Sequence, residues 1–354
     1  MPFRSGFVSI IGRPNAGKST LLNALIGEKI AIVTRKPQTT RNRIHGVLEV
    51  APKKGKHPAA QIVFVDTPGV HAPATLLDKR MLQEVHEALS SRDVVLHVVD
   101  ATRTLRAPSP AQQTPAQTPA QTAAQAPSAI PGAITPEDED AYILSLIRTL
   151  DCPVFLVLNK IDAIEKETLL PLIAHWSAQH AYTEILPISA RKQDGLETLT
   201  AKLVEHLPEG QRYYPKDQFT DQPERFLVAE LIREKILQFT GEEVPYASAV
   251  VIERFEEPSA PAGKKPGAKP PLTRIAAAIH CERTGQKAIL IGKGGAMLKQ
   301  IGAAARVEIE RLLGTRVYLE LFVKIASDWR SSGPFLDALD WKKQLEDLGS
   351  RPKE

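Results

Sequence analysis

The sequence predicts an α/β domain with a doubly wound, mostly parallel sheet, followed by a smaller α+β domain. Within residues 1–207, short runs rich in Val and Ile alternate with helical patterns, and most runs lack polar/apolar alternation. The lack of alternation is typical of parallel strands that are buried on both faces. A chain of 354 residues has room for about two such domains.

The individual elements of the first domain follow a βαβ rhythm. The predicted strands are Phe7–Ile11, Ile62–Val65, Val94–Val99, Val154–Leu158 and Ile185–Ile188. The predicted helices are Thr20–Ile26, Leu76–Leu89, Tyr142–Thr149 and Leu196–His206. One segment interrupts this rhythm, because residues 107–136 hold nine Ala, seven Pro and no charged residue. Seven prolines are incompatible with a regular helix, so this segment is predicted to be a disordered insertion.

The second domain shows a different order of elements. Residues 208–223 are polar and are predicted to be a linker. Beyond it we expect a helix, two strands separated by a Pro/Lys-rich loop at 258–271, a helix and a strand: Arg225–Phe239, Ala247–Phe255, Arg274–Cys281, Met297–Leu313 and Val317–Ile325. This order indicates a compact α+β domain at 224–326. Residues 327–354 are predicted to be a C-terminal tail.

The composition excludes several classes of protein. Hydrophobic residues make up 43% and charged residues 24% of the chain, which fits an ordinary globular protein. No apolar run approaches the ~18 residues of a membrane span, and the N-terminus lacks the pattern of a signal peptide, so we expect a cytoplasmic protein. Two cysteines, Cys152 and Cys281, exclude a disulfide scaffold and provide no metal-binding spacing. The net charge of +4 does not by itself indicate a nucleic-acid partner.

A phosphate-binding loop follows the first predicted strand. The motif G-x-x-x-x-G-K-[ST] predicts a P-loop NTPase when it follows a buried strand and opens a helix. Its glycines allow backbone N–H groups to approach phosphate oxygens, the lysine reaches the β- and γ-phosphates, and the serine hydroxyl ligates Mg²⁺. The residues are Gly12, Arg13, Pro14, Asn15, Ala16, Gly17, Lys18 and Ser19, followed by Thr20.

Two further motifs lie at strand ends, where they face the same edge of the sheet. The first consists of Asp66, Thr67, Pro68 and Gly69. We expect Asp66 to hold Mg²⁺ through water, and the Gly69 N–H to contact the γ-phosphate.

The second motif, Asn159, Lys160, Ile161 and Asp162, predicts recognition of guanine. Asp162 can accept hydrogen bonds from N1–H and the exocyclic amino group of guanine, a donor pair that adenine lacks. Ser189 and Ala190 follow the last predicted strand, where a backbone N–H can reach the guanine carbonyl oxygen. For Ser189 an ordinary helix cap is the alternative.

In this order, the motifs resemble the translation-factor-like class of small GTPases over residues 6–207. The resemblance implies that Thr40 closes on Mg²⁺ and the γ-phosphate, with Thr39 as its rival. It implies a metal site of Ser19, Thr40 and Asp66, and a catalytic set of Lys18, Thr40, Asp66 and Gly69.

Two positions indicate how hydrolysis is controlled. Val70 occupies the position where Ras-type enzymes have the glutamine that orients water, so we expect slow intrinsic hydrolysis. Asn15 resembles the asparagine that holds K⁺ in potassium-activated relatives, which makes K⁺ a candidate cofactor.

The second domain contains a G-x-x-G loop in a basic region. Residues 264–324 contain 12 Lys/Arg and four Asp/Glu, a net charge of +8. A glycine-rich loop at a helix N-terminus allows a nucleic-acid backbone to approach closely. The pattern resembles a type II KH domain, although Gly294 at a variable loop position makes the loop more flexible. The candidate RNA-binding residues are Ile291, Gly292, Lys293, Gly294, Gly295, Leu298, Lys299, Ile301 and Arg306, of which Ile291, Leu298 and Ile301 are expected to line the groove for bases.

The chain as a whole resembles the Era-like family of bacterial ribosome-assembly GTPases with a C-terminal KH domain. The segments that carry this resemblance are Gly12–Thr20, Lys36–Arg41, Asp66–Gly69 with His71, Glu282–Lys287, Ile301–Gly302 and Leu319–Lys324. The resemblance implies GTP/GDP and Mg²⁺ as ligands, and binding to the 3′ end of 16S rRNA in a 30S subunit precursor. It implies a monomer and leaves peripheral association with the inner membrane open. The alternatives are an RNA-modification GTPase of the tRNA-acting class and an RNA-binding protein with a silent GTPase.

Overall fold

Six strands form the sheet of the first domain, in the order β2-β3-β1-β4-β5-β6. The structure, a computed structural model, describes residues 2–103, 139–241, 243–257 and 272–341. The predicted insertion at 107–136 and the loop at 258–271 lie outside the described residues, as does the tail beyond 341. The strands are β1 (Arg4–Ile11), β2 (Ile44–Val50), β3 (Ala60–Asp66), β4 (Val94–Asp100), β5 (Val154–Asn159) and β6 (Glu184–Pro187).

Helices cover both faces of this sheet. They are α1 (Lys18–Ile26), α2 (Leu76–Ser90), α3 (Glu139–Ile147), α4 (Leu169–Gln179) and α5 (Leu196–His206). Alternate residues of β5 belong to two different cores: Phe155 and Val157 pack on one face, and Leu156 and Leu158 on the other. Both faces are apolar because both are covered, which explains why the strand shows no alternation.

The structure confirms the predicted α/β class and adds two elements to it. Strand β2 pairs antiparallel with β3 at the edge of the sheet, whereas the other neighbouring strands pair in parallel. Helix α4 lies between β5 and β6. Neither element was predicted from the sequence; β2 is only half-buried at several positions, so its pattern is weaker than that of the central strands.

The second domain consists of a three-stranded sheet covered by helices. Its elements are α6 (Glu224–Phe239), β7 (Ala249–Glu256), β8 (Leu272–Cys281), α7 (Thr284–Ile291), α8 (Ala296–Leu313), β9 (Arg316–Ile325) and α9 (Gly333–Leu339). Strand β7 is antiparallel and β9 parallel to the central β8. Apolar side chains of α6, α8 and β8 form one core. The sequence analysis missed α7 and α9, which are both short.

The two domains are in contact through several segments. The predicted linker at 208–223 runs along the first domain: the Val47 N–H donates to the Phe219 carbonyl at 2.8 Å, and the Thr220 hydroxyl donates to the His45 carbonyl at 2.6 Å. Beyond β9, the buried Trp329 packs in one cluster with Met81 of α2. The first domain therefore presents its loops directly to the second.

Candidate functional site

The phosphate-binding loop connects β1 to α1 and folds around the Lys18 ammonium group. Lys18 Nζ donates to the carbonyl oxygens of Gly12 at 2.9 Å and of Arg13 at 3.0 Å. Gly17 has φ 95°, and a Cβ there would lie 2.3 Å from the Asn159 amide nitrogen. Only glycine fits this position, because another residue would be strained and would collide with the neighbouring motif.

Burial disfavours both charges at the centre of the site. It lowers the pKa of Lys18 to about 8, and the attraction of Asp66 and Glu139 offsets only part of this effect. Burial also raises the pKa of Asp66 to about 6, against the Lys18 charge and the hydrogen bonds from Ser19 and Thr40. A phosphate beside Lys18 and a cation beside Asp66 would reverse both effects, so the electrostatics suit a metal–phosphate ligand.

Three oxygen donors converge where a magnesium ion is expected. The Ser19 hydroxyl donates to Asp66 Oδ2 at 2.6 Å and lies 2.8 Å from the Thr40 hydroxyl. Asp66 Oδ1 is buried and has no hydrogen-bond partner within the described part of the chain. Hard oxygen donors with one free carboxylate oxygen fit Mg²⁺.

The structure distinguishes the two candidate threonines. The Thr40 hydroxyl points to the metal donors and lies 3.4 Å from Asp66 Oδ2. The Thr39 hydroxyl instead donates to the Lys36 carbonyl at 2.8 Å, and it lies 2.8 Å from the Thr34 hydroxyl. Thr40 is therefore the inward-facing residue.

The segment after β3 touches the phosphate-binding loop closely. A Cβ on Gly69 would lie 2.7 Å from Pro14 Cα. Val70 is buried in the core beside Ile11, so its side chain cannot face an attacking water. His71 lies 2.9 Å from the Gly69 carbonyl oxygen, which fixes the backbone of this turn.

The base pocket is formed by the ends of β5 and β6. Asp162 is exposed, and one of its oxygens accepts from the Ser189 hydroxyl at 2.6 Å, a hydrogen bond that lowers the pKa of Asp162. Asn159 holds the pocket together, since it donates to the Ala16 carbonyl at 2.9 Å and accepts from the Ala190 N–H at 3.0 Å. The N–H groups of Ser189 and Ala190, one of which was expected to reach the guanine carbonyl oxygen, thus both have partners within the protein, because the Ser189 N–H donates to the Asp194 carbonyl at 3.1 Å.

A cavity of about 760 Å³ connects these elements into one site. It is lined by residues of the phosphate-binding loop, of the segment before β2 and of the base pocket, including Asn15, Lys18, Ser19, Thr20, Thr40, Gly69, Asn159, Lys160, Asp162 and Ala190. This volume suits a small-molecule ligand.

Two predicted residues have side chains directed elsewhere. Arg13 forms ion pairs with Glu139 at 2.8 Å and Asp140 at 2.9 Å, so only its backbone takes part in the loop. Thr67 is fully buried, and its hydroxyl donates to the Ile10 carbonyl at 2.7 Å. Both side chains therefore stabilise the loops around the site without facing the cavity.

Sequence reasoning missed Asp100, which pairs with Lys160 at 2.6 Å. The same Lys160 ammonium donates to the Asn15 carbonyl at 2.7 Å, so Asp100 supports the contact between the base pocket and the phosphate-binding loop. Its position at the carboxyl end of β4 was the signal that could have identified it.

A second groove lies on the KH-like domain, between α8 and β9. It has a volume of about 520 Å³ and is lined by Gly295, Leu298, Lys299, Gly302, Ala303, Arg306, Val317, Tyr318, Leu319 and Leu321. Beside it, Gly292, Gly294 and Gly295 all have positive φ, and Lys293 is exposed. Lys293 and Gly294 of this loop are thus accessible to a ligand, whereas the Gly292 and Gly295 N–H groups donate to the carbonyl oxygens of Ala288 and Gly292. Ile291 at the end of α7 is half-buried.

The structure corrects the expectation that Ile301 lines this groove. Its side chain is fully buried and packs in the domain core together with Ala305 and Ile309. These residues recur every four positions on the inner face of α8, whereas Leu298 and Gly302 face the groove.

Comparison with known proteins identifies both domains. A family model for a 50S ribosome-binding GTPase matches residues 7–160, and a KH domain model matches residues 243–330. The GTPase Era of Geobacter metallireducens is 44% identical over 340 residues, covering 96% of this chain and 98% of that relative. This chain belongs to the Era family of GTPases. Era of Heliobacterium modesticaldum is 42% identical and covers 97% of this chain and 99% of its own.

Solved Era structures have the same two-domain architecture. A variant of Aquifex aeolicus Era bound to GDP and AlF₄⁻ superposes with a TM-score of 0.78 at 37% identity, covering 96% of this chain and 99% of its own. A complex of Era with MgGDPNP and nucleotides 1506–1542 of 16S rRNA has a TM-score of 0.79 and the same identity and coverage. As a member of the Era family, this chain is a nucleotide-binding GTPase with a KH domain.

No helix in the described ranges is long and apolar enough to cross a membrane.

Proposed function

We propose that this chain is a GTP-dependent switch that binds the 3′ end of 16S rRNA in a 30S subunit precursor and assists its maturation. The observation that carries the proposal is the presence, on one chain, of a guanine-selective nucleotide site and an accessible KH groove. A solved Era structure holds MgGDPNP and nucleotides 1506–1542 of 16S rRNA. We further propose that the protein acts as a monomer in the cytoplasm.

We propose a role for five residues of the nucleotide site. Lys18 binds the β- and γ-phosphates, Ser19, Thr40 and Asp66 hold Mg²⁺, and the Gly69 N–H contacts the γ-phosphate. Magnesium, when bound, neutralises charge on the phosphates. Because Val70 supplies no hydrogen bond to water, intrinsic hydrolysis is slow.

Asn15 is proposed to help hold K⁺ beside the phosphates. Its side chain reaches the segment before β2, where the amide donates to the Arg35 carbonyl at 3.0 Å. An amide oxygen and backbone carbonyls are suitable ligands for a hard monovalent cation. Hydrolysis measured in KCl and in NaCl tests this point: we expect a faster rate in K⁺, and equal rates would contradict it.

The RNA site is proposed to use the loop and the groove in different ways. Gly292, Lys293, Gly294 and Gly295 contact the phosphate backbone, since Lys293 and Gly294 are exposed and glycines, which lack a Cβ, allow a close approach. Leu298 contacts bases in the groove, while Lys299 and Arg306 bind phosphates beside it.

Fluorescence anisotropy with labelled RNA tests the proposed function. The probe is a single strand from the 3′ end of 16S rRNA, with a scrambled strand of the same composition as the control, in the presence of GTP analogue. We expect selective binding that weakens with salt, and Lys293→Ala to lower the salt slope by about 0.7. The matched variant Lys166→Ala, an exposed lysine of the first domain, leaves binding unchanged. Equal affinity for both strands would refute the proposed RNA target.

A further inference from the structure

The helix α6 of the KH domain binds the segment of the GTPase domain that carries Thr40. We call residues 29–41 the switch I segment. The Val33 N–H donates to Glu234 at 3.1 Å, and Arg41 donates to the Ser248 carbonyl at 2.8 Å. The Arg233 guanidinium donates to the carbonyl oxygen of Thr39. The backbone carbonyl before Thr40 and the Arg41 side chain after it are therefore both held by the neighbouring domain.

Arg233 has the geometry of a fixed donor. It is 2% exposed, and it pairs with Glu230 on the preceding turn of α6 through Nε at 2.8 Å and Nη2 at 2.6 Å. A two-point pair of this kind holds the guanidinium plane in one orientation. The donor to Thr39 is thus positioned before any ligand binds.

The bond from Arg233 acts on the peptide unit that leads into Thr40. The Thr39 carbonyl and the Thr40 nitrogen belong to one planar peptide group, so fixing the carbonyl restricts the orientation of Thr40. The Thr40 hydroxyl lies 2.8 Å from Ser19 Oγ, within the proposed metal donors. Arg233 of the KH domain is therefore linked to this hydroxyl through only two residues, Thr39 and Thr40.

We propose that Arg233 is a positioning residue for GTP hydrolysis, which holds the Thr39–Thr40 peptide so that Thr40 faces the metal and the γ-phosphate. This inference rests on the proposed roles of Thr40 and of the nucleotide site. The KH domain then contributes to hydrolysis, because a movement of α6 relative to the switch I segment would break the hydrogen bond that holds the Thr39–Thr40 peptide.

A double-mutant cycle between Arg233 and Thr40 tests the inference. Arg233→Lys keeps a cation beside Glu230 but lacks the second arm that reaches Thr39. We expect it to slow single-turnover GTP hydrolysis about tenfold and to weaken binding of a GTP analogue, with GDP affinity unchanged. In a Thr40→Ala background, Arg233→Lys causes no further loss of analogue affinity, because its effect passes through Thr40.

The control is Arg225→Lys on the same helix, since Arg225 donates to the Ile252 carbonyl at 2.9 Å inside the KH domain. Thermal melting of each variant establishes that it is folded. Glu230→Gln weakens the two-point pair with the Arg233 guanidinium, and we expect it to cause a smaller loss of hydrolysis rate. An equal loss of affinity in the wild-type and Thr40→Ala backgrounds would overturn the positioning role alone. Failure of the wild-type protein to bind GTP would overturn the proposed function as well.

Discussion

The nucleotide site and the RNA groove differ in how much of each is assembled before a ligand arrives. In the GTPase domain, Asp162 is already held by Ser189 and Asn159 by Ala16 and Ala190. In the KH domain, Lys293 is exposed on a loop whose glycines have positive φ. A preorganised site concentrates specificity in a few side chains, whereas an open loop distributes affinity over many contacts. Single substitutions should therefore have much larger effects in the first site than in the second.

The largest expected effect is on base recognition. Asp162→Asn replaces two carboxylate oxygens with one amide oxygen and one NH₂ group. Guanine then keeps one neutral acceptor, and its second N–H donor faces another donor. We expect affinity for GDP to fall about 10²- to 10⁴-fold and affinity for xanthosine diphosphate to rise, as measured by fluorescent nucleotide titration. Asp151→Asn, at a side chain 94% exposed, is the matched control. An unchanged preference for guanine would remove Asp162 as the base reader.

The next effect separates the two neighbouring threonines. Thr40→Ala removes the hydroxyl beside Ser19 and Asp66, and we expect hydrolysis to slow about 10²-fold. Thr39→Ala removes only hydrogen bonds within its own loop, so its rate should remain within about threefold of the wild type. Single-turnover hydrolysis at saturating Mg²⁺ distinguishes the two. The reverse order of effects would show that Thr39 turns inward in the GTP state.

A third pair of variants separates the core of the KH domain from its groove. Ile301→Ala creates a cavity in the core and should lower the free energy of unfolding by about 2–5 kcal/mol. Leu298→Ala should lower the free energy of unfolding by only about 1 kcal/mol but should weaken RNA binding several-fold. Urea unfolding and RNA anisotropy measure the two quantities. If Leu298→Ala left RNA affinity intact, the groove between α8 and β9 would not be the base-binding surface.

The smallest effect concerns His71, which lies 3.1 Å from Asp78. Burial lowers the pKa of His71, but the hydrogen bonds to Asp78 and Gly69 outweigh it, and the net pKa is raised. Hydrogen bonds from His71 and Thr75 outweigh burial at Asp78 and lower its pKa to about 2, so this carboxylate is ionised above pH 4. A raised histidine pKa stabilises the fold fully below the unfolded pKa of about 6.5, and this contribution is lost as pH rises through the folded-state value.

We therefore expect wild type to lose stability relative to His71→Gln between about pH 6 and pH 8, by about 1 kcal/mol or less. The glutamine can donate a hydrogen bond but does not titrate. Urea unfolding at several pH values gives the slopes, and parallel slopes for the two proteins would show that the pKa of His71 does not change on folding.

Secondary structure is best predicted from the sequence where a strand is buried on both faces, because burial then dictates its composition. The central strands and the motifs at their carboxyl ends follow from this rule, and the helix Leu196–His206 was predicted with its observed bounds. Strand β2 was missed because one edge of the sheet is only partly covered. Helix α7 was missed because it has eight residues and continues directly into the glycine loop.

Within the site, the residue types were predictable but their orientation was not. Thr39 and Thr40 are chemically identical, and only the contact with Ser19 and Asp66 separates them. Arg13 belongs to the motif, yet its side chain pairs with the start of α3, a partner distant in sequence. The burial of Ile301, by contrast, could have been deduced from its four-residue spacing to Ala305 and Ile309.

We propose that the nucleotide site and the RNA groove are coupled, and RNA affinity in the two nucleotide states measures this coupling. Anisotropy of the 16S 3′-end probe should be titrated with wild-type protein saturated with GDP, and then with a non-hydrolysable GTP analogue. We predict binding about tenfold tighter with the analogue, because contacts of Thr40 with Mg²⁺ and the γ-phosphate strengthen the hold of α6 on the switch I segment. Identical affinities in the two states would contradict the account.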